Sequence, residues 1–338
     1  MPRVQRMLKV MDDVEAPMLP AFKYHYGELS KLYVEAKDNV KFLTTLERHF
    51  KSMSSGSLTA VLDTLPPMMG ALRMVWVISR HYNTDERLVP LMELVAGEIA
   101  DKVESLVHVR TILHKSPEAA RATITSARQL LESWQATYLQ VRAEIEESGT
   151  DHRWEFDRKR LFEQTNYMAR VCGDLLEVAT VLDQFHKFLG PELKSVTGES
   201  AGIDEIMERV DGLVAPLEQV PFNVFNRRYK DSWHAVMVQF QRAVEDIEGM
   251  TRSFIEQSFQ KLRSAEGAFE LVQNFKNIQS RESINQAINE RYKDILQQYT
   301  KELENIDDIF QAGRADPPVY RNYPPVAGAV AWARDLYQ

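Results

Sequence analysis

The chain has 338 residues, 44% hydrophobic and 27% charged with both signs mixed, a globular composition long enough for roughly two domain-sized cores. Its 14 glycines and 14 prolines fall below the usual share of about 7% and 5%, which favours long uninterrupted helices. The net charge of −8 and the absence of any clustered Lys/Arg run argue against nucleic acid and anionic membrane as partners, because both need such a run.

Met1 to Asp13 lacks the apolar stretch of a signal peptide. After Gly27, the residues Leu29, Leu32, Tyr33, Ala36, Val40, Leu43, Leu46 and Phe50 recur at steps of three and four, which places them on one buried stripe of a helix. Gly56 in the serine-rich stretch 52–57 ends it. Pro66 and Pro67 separate the next short segment from a helix over 68–82 that carries Leu72, Val75, Trp76 and Ser79. Asn83 with Glu86 three residues later predicts a capped start for a helix to about Val107, with Pro90 kinking it or marking its true first turn.

Ser116-Pro117-Glu118 combines a cap, a rigid first residue and a first-turn acid. It opens a helix striped by Ile124, Ala127, Leu131, Trp134, Tyr138, Val141 and Ile145 that stops near Gly149. Trp154-Glu155-Phe156 introduces a further helix from Asp157 to Leu189, ended by Gly190-Pro191. A shorter helix covers 203–217, and Pro216 and Pro221 bracket a loop. The last third carries two long stripes. The first, over 231–263, contains Trp233, Met237, Phe240, Val244, Ile247 and Phe254; the second, over 281–310, contains Ile284, Ile288, Ile295, Tyr299, Leu303, Ile306 and Ile309. Each predicts a helix of roughly 45–50 Å, which needs a neighbour packed lengthwise. Period-two alternation bounded by tight-turn dipeptides is absent. The expected fold class is all-α: an elongated succession of helical bundles with long antiparallel helices, divided as 1–115, 116–230 and 231–338.

A search for chemistry finds no P-loop, no Gly-x-Gly-x-x-Gly and no His-Glu-x-x-His. The eight histidines are scattered, and His108 and His114, six apart, point to different sides of a helix. The single cysteine, Cys172, excludes an internal disulfide and a Cys-based zinc site, fits a reducing compartment, and sits beside an apolar stripe as a structural thiol. Asp307-Asp308 and Asp204-Glu205 are adjacent pairs that diverge by about 100° on a helix. The five tryptophans fit packing positions. Nowhere do about 18 apolar residues run together, so no bilayer-spanning helix is expected. No catalytic, cofactor-binding or metal-binding residue is expected, and no cofactor. Residues alone therefore leave a structural or interaction protein, a helical membrane tether, or an all-α enzyme with an unrecognised site. A tether needs a basic face, and 231–310 holds 14 acids against 9 Lys plus Arg.

Several segments carry a signature. Asp38-Asn39-Val40-Lys41-Phe42-Leu43, the stretch Leu72 to Thr84 with Trp76, Ser79, Tyr82 and Asn83, and Trp154-Glu155-Phe156 ahead of Arg170-Val171-Cys172-Gly173-Asp174-Leu175 resemble the N-terminal stem of dynein heavy chains. So does Asn322-Tyr323-Pro324-Pro325-Val326-Ala327-Gly328-Ala329-Val330-Ala331-Trp332, which is similar to the family's Asn-x-Pro-Pro-Val-Ala-Gly-Ala-Ile-x-Trp motif with Val330 in place of Ile. The tyrosine-containing forms and the stretch 193–198 resemble axonemal members, and among those a two-headed inner-arm chain.

The resemblance implies a non-catalytic stem segment that continues beyond Gln338 in the family, with the ATPase ring far C-terminal. It implies a scaffold for the other dynein heavy chain, for intermediate and light chains and for docking or neighbouring axonemal proteins, with no nucleic acid and no membrane. The implied location is the axoneme of cilia and flagella, on the reducing, cytoplasmic side. A cytoplasmic or intraflagellar dynein tail, or an unrelated tethering scaffold, is the alternative. The matched positions Asn39, Trp76, Ser79, Tyr82, Asn83, Trp154, Phe156, Pro324, Pro325, Gly328 and Trp332 are expected to be determinants of the fold. Phe240 and Ile295 are expected core positions of the last bundle.

Overall fold

The structure, a computed structural model, describes residues 1–149, 153–191, 193–194, 200–260, 265–277, 282–315 and 324–337. The expected all-α class is found: among the described residues every regular element is helical. Asn322 and Tyr323 of the last motif and most of the stretch 193–198 lie outside those residues. The chain divides into two compact units, Met1–Thr180 with Pro216–Met237, and Val181–Ala215 with Val238–Gln338.

The first unit begins with α1 (Pro2–Asp13), which buries no side chain, and α2 (Leu19–Ser55). α2 starts earlier than expected and runs through Gly27. Its expected buried stripe is corrected as well: Leu29, Leu32, Tyr33 and Val40 are exposed, and burial is confined to Leu46, His49 and Met53. The physical reason is length. α2 has 37 residues, whereas α3 (Leu58–Ile78) and α4 (Asp85–Leu106), which pack against it, have 21 and 22. Gly56 caps α2 as expected.

α3 does not break at Pro66 and Pro67. Both prolines are exposed, so the carbonyls of Leu62 and Asp63, deprived of their i+4 donors, lie on the outer side. The opposite face buries Leu65, Met68, Met69, Leu72 and Val75, and that burial outweighs a cost of about 3 kcal/mol per interior proline. By length and composition α3 could cross a membrane, which differs from the expectation. Its apolar face instead forms core of this unit. α4 is capped by Thr84, not Asn83. The backbone N–H of Glu86 and the Thr84 hydroxyl hold the Glu86 carboxyl below the ordinary range. Pro90 sits inside α4 and does not start it.

After the short α5 (Val109–Ile112), α6 (Pro117–Glu147) starts where the Ser-Pro-Glu signal put it, with Ser116 Oγ accepting from Ala119 N at 3.4 Å. Gly149, at φ +62°, follows its end. α7 (Arg158–Phe188) is capped by Asp157, whose Oδ1 accepts from the backbone N–H of Lys159 and Arg160 at 3.0 and 3.3 Å. The core joins α3, α4, α6 and α7 through Leu72, Met92, Val95, Ile99, Ile124, Leu131, Trp134, Leu161 and Val171, each at most 3% exposed.

The helix expected over 203–217 is two pieces, α8 (Ser200–Gly212) and α9 (Ala215–Glu218), parted just after Gly212, the poorest helix former in the stretch apart from Pro216. A 3-10 turn (Arg227–Tyr229) leads into α10 (Lys230–Gln260). The boundaries between the units fall within α7, within α9 and within α10.

The second unit adds α11 (Ala265–Asn277), which the sequence reading did not anticipate, then α12 (Glu282–Ala315) and α13 (Pro325–Tyr337). Its core includes Phe185, Ile203, Val210, Ile247, Ile255, Phe275, Ile284 and Ile288. Phe240 and Ile295 are buried there too. The long stripe of α12 is only half buried. Ile284, Ile288 and Ile295 are covered, while Tyr299, Leu303, Ile306 and Ile309 are exposed, because α11 has 13 residues against 34 in α12.

Candidate functional site

The segment from Arg153 to Asp157 is irregular and partly buried, so its backbone polar groups need partners from elsewhere. Trp76, near the end of α3, supplies one: its Nε1–H donates to the Arg153 carbonyl at 2.9 Å. Tyr138 of α6 supplies two. Its hydroxyl donates to the Trp154 carbonyl at 3.4 Å and accepts from Phe156 N at 3.2 Å. Around these bonds the rings interlock. Trp76 stands edge-on to Phe156 at 5.1 Å, Trp154 edge-on to Phe156 at 5.2 Å, and Tyr138 stacks on Trp154 at 5.9 Å and meets Phe162 at 5.2 Å. Such pairs add about 0.5–1.5 kcal/mol each beyond their buried area. Burial raises the Tyr138 hydroxyl above the ordinary tyrosine range, and the Phe156 N–H partly offsets this.

Ion pairs rim this junction: Arg153 with Asp85 at 2.7 Å, Arg142 with Glu155 at 2.7 Å, and Arg158 with Glu155 at 3.1 Å. Arg160 clamps Glu93 through Nε and a terminal nitrogen at 2.5 and 3.0 Å. These groups are exposed or half-buried at the surface, so their effect is orientation more than stability.

Ser79, the C-cap of α3, makes a second constellation. Its buried hydroxyl donates to Asp38 at 2.7 Å and accepts from His81 N and Tyr82 N at 3.2 and 3.1 Å. Asn39 lies next to Asp38, half-buried, with an enclosed Oδ1 that has no donor among the described residues. Asn83 is exposed beyond this turn.

A third group sits on α13. Gly328 N donates to the Pro324 carbonyl at 2.8 Å, Pro325 is the first residue of the helix, and Trp332 Nε1–H donates to the Gly313 carbonyl of α12 at 3.0 Å. The family-type positions thus fall into three local constellations. Sequence reasoning missed Tyr138 as a hub and Arg153 and Asp38 as partners. Tyr138 reads as one more apolar stripe residue, because nothing local announces where its hydroxyl points.

A cleft of about 760 Å³ opens between α6, α7 and α10, lined by Arg128, Glu132, Arg170, Asp174, Trp233 and His234 among others. Asp174 accepts from Trp233 Nε1–H at 2.8 Å, and desolvation raises its carboxyl above the ordinary range. Cations and carboxylates are mixed along its walls. Cys172 is fully buried and its thiol is pushed up to about 12 by burial, so it stays protonated and unreactive at neutral pH. Among the described residues no three His, Cys, Asp or Glu side chains are placed to hold a metal ion.

Comparison with known proteins agrees with the residue-level resemblance. The whole chain, 1–338, matches the family model described as dynein heavy chain, N-terminal region 1. The chain belongs to that family, and it is the tail-side region of a dynein heavy chain, not the ATPase motor region. It is 48% identical over 340 residues to the dynein-1-alpha heavy chain of the flagellar inner arm I1 complex of Chlamydomonas reinhardtii, covering 100% of this chain and 7% of that one. It is 38% identical to human dynein axonemal heavy chain 10 over 338 residues, covering 100% and 6%. It is 25% identical to the Chlamydomonas outer-arm gamma chain over 303 residues, covering 89% and 7%. The chain therefore spans less than a tenth of the length of these relatives. It corresponds to the N-terminal region of axonemal dynein heavy chains, a tail segment suited to a non-catalytic scaffold role.

Proposed function

We propose that this segment is a scaffold in the tail of an axonemal dynein heavy chain, with no turnover of its own. In this reading it holds the other heavy chain, intermediate and light chains and neighbouring axonemal proteins, and anchors an ATP-driven motor in cilia and flagella. The observation that carries it is the family match over the full length of an all-helical chain. The physics is consistent: helices of 31 to 37 residues give the segment reach, and charged outer faces can complement partners. The higher identity to an inner-arm alpha chain than to an outer-arm gamma chain favours an inner-arm setting.

The test is removal of residues 1–338 from the full heavy chain. The expected result is a motor that still hydrolyses ATP with microtubules in solution but does not assemble into the axoneme. Normal assembly of the shortened chain, or ATP hydrolysis by residues 1–338 alone, would overturn the reading.

A further inference from the structure

The apolar stripe of α12 changes status midway along one continuous helix. Upstream, Ile284 and Ile288 are buried, and Tyr292 meets Phe269 of α11 at 5.8 Å. Downstream, Trp332 of α13 reaches the Gly313 carbonyl. Between these two contacts, Tyr299, Leu303, Ile306, Ile309 and Phe310 keep the same three-and-four spacing and are 40–63% exposed. Spacing of this kind makes one helical face. The bare length is roughly 17 Å, continuous with the α11–α12 interface.

The charges beside this face identify what it fits. From 296 to 312 there is one lysine, Lys301, against Glu302, Glu304, Asp307 and Asp308. All four carboxylates are exposed. Glu302 and Asp307 accept from Gln298 and Gln311, at 3.1 and 3.3 Å. Among the described residues none of the four has a cationic partner. The covered half shows the opposite: Arg291 pairs across to Glu256 of α10 at 3.2 Å. A second copy of this chain would set acids against acids along the same face, which is repulsive. An anionic membrane is repelled for the same reason.

We propose that the Tyr299–Phe310 face docks a basic amphipathic α-helix of a partner subunit. Its Leu/Ile seam continues the packing line of α11, and its Lys or Arg flanks meet Glu302 and Asp307. This rests on the scaffold reading only for the presence of a partner subunit; the chemistry of the face stands by itself.

The test uses the 338-residue chain and two labelled helical peptides of about 20 residues with one Leu seam, flanked by Lys or by Glu, followed by fluorescence anisotropy. The Lys-flanked peptide binds at least about tenfold tighter. The pair Glu302→Lys with Asp307→Lys inverts that preference. Ile306→Asp weakens binding by about tenfold or more with helicity and Tm unchanged, since its side chain is exposed. Equal binding of both peptides, an unchanged preference after the charge swap, or Ile306-dependent dimerisation in sedimentation would each overturn the proposal. Deletion of 1–338 probes the scaffold role separately: assembly without it would sink that role and leave the peptide result standing.

Discussion

Trp76 and Arg153 lie 77 residues apart and are joined by one hydrogen bond, indole N–H to backbone carbonyl, at 2.9 Å. It ties the end of α3 to the irregular strap ahead of α7. Trp76→Phe keeps a ring against Phe156 and removes the donor. The expected cost is about 1 kcal/mol, read as a lower denaturant midpoint at unchanged slope. An unchanged midpoint would mean that water replaces the indole without loss.

Ser79→Ala removes three hydrogen bonds at once and leaves the N–H groups of His81 and Tyr82 without the hydroxyl they donate to. With the site buried, the expected loss is about 1–3 kcal/mol. Ser79→Thr retains the hydroxyl and should recover part of it. Hydrogen exchange at His81 and Tyr82 is the local readout, and it should accelerate in the alanine variant.

Asp174 gives a pH dependence of defined sign. Its folded pKa is raised above the ordinary 3.8, first by desolvation, against the opposing Trp233 hydrogen bond. As pH rises past 3.8 the unfolded chain releases this proton before the folded chain does. The folded state then binds more protons, and stability falls with pH across that window. Asp174→Asn keeps a carbonyl oxygen for Trp233 and removes the titration. The difference in unfolding free energy, native minus variant, should therefore decline as pH rises from about 4 until the folded carboxyl has titrated, and level off above. A difference that is flat or rises contradicts the assignment.

Two glycines should respond oppositely to alanine. At Gly97, inside α4, an added Cβ meets nothing within 4 Å, so Gly97→Ala should stabilise by about 0.5–1 kcal/mol through helix propensity. At Gly56, the C-cap of α2, an added Cβ overlaps the Ser52 carbonyl oxygen, so the turn must shift and Gly56→Ala should destabilise. Thermal melts of the two variants provide the comparison.

A charge placed along α12 should separate its two halves. Ile295→Asp buries an uncompensated carboxylate in the second unit, as Phe240→Asp does on α10, and a loss above about 3 kcal/mol is expected. Ile306→Asp, on the same stripe but exposed, should change stability by less than about 0.5 kcal/mol. Equal losses would mean that both halves are covered within this chain.

Local signals were legible because they act within a turn or two. The cap at Ser116 and the stop at Gly56 were both read from neighbouring residues, and each is found; the capping role of Asp157 came only with the structure. Pro66 and Pro67 misled because a proline is a helix breaker only when nothing outweighs it; here the missing donors face outward and the opposite face is core. Asn83 lost the N-cap position to Thr84, one residue along, where the backbone is in the β region but the side chain makes no capping hydrogen bond.

The amino-acid order by itself determined that this chain is helical, where most helices end, and, through its motifs, the family it belongs to. Periodicity is a one-dimensional property, and it survives whatever the helices later pack against. Only the tertiary structure decided which lengths of each stripe are buried, that Tyr138 ties the strap to α6, and that the far half of α12 is bare. Burial depends on whether a neighbouring helix is long enough to reach, and no spacing within one helix records the length of another.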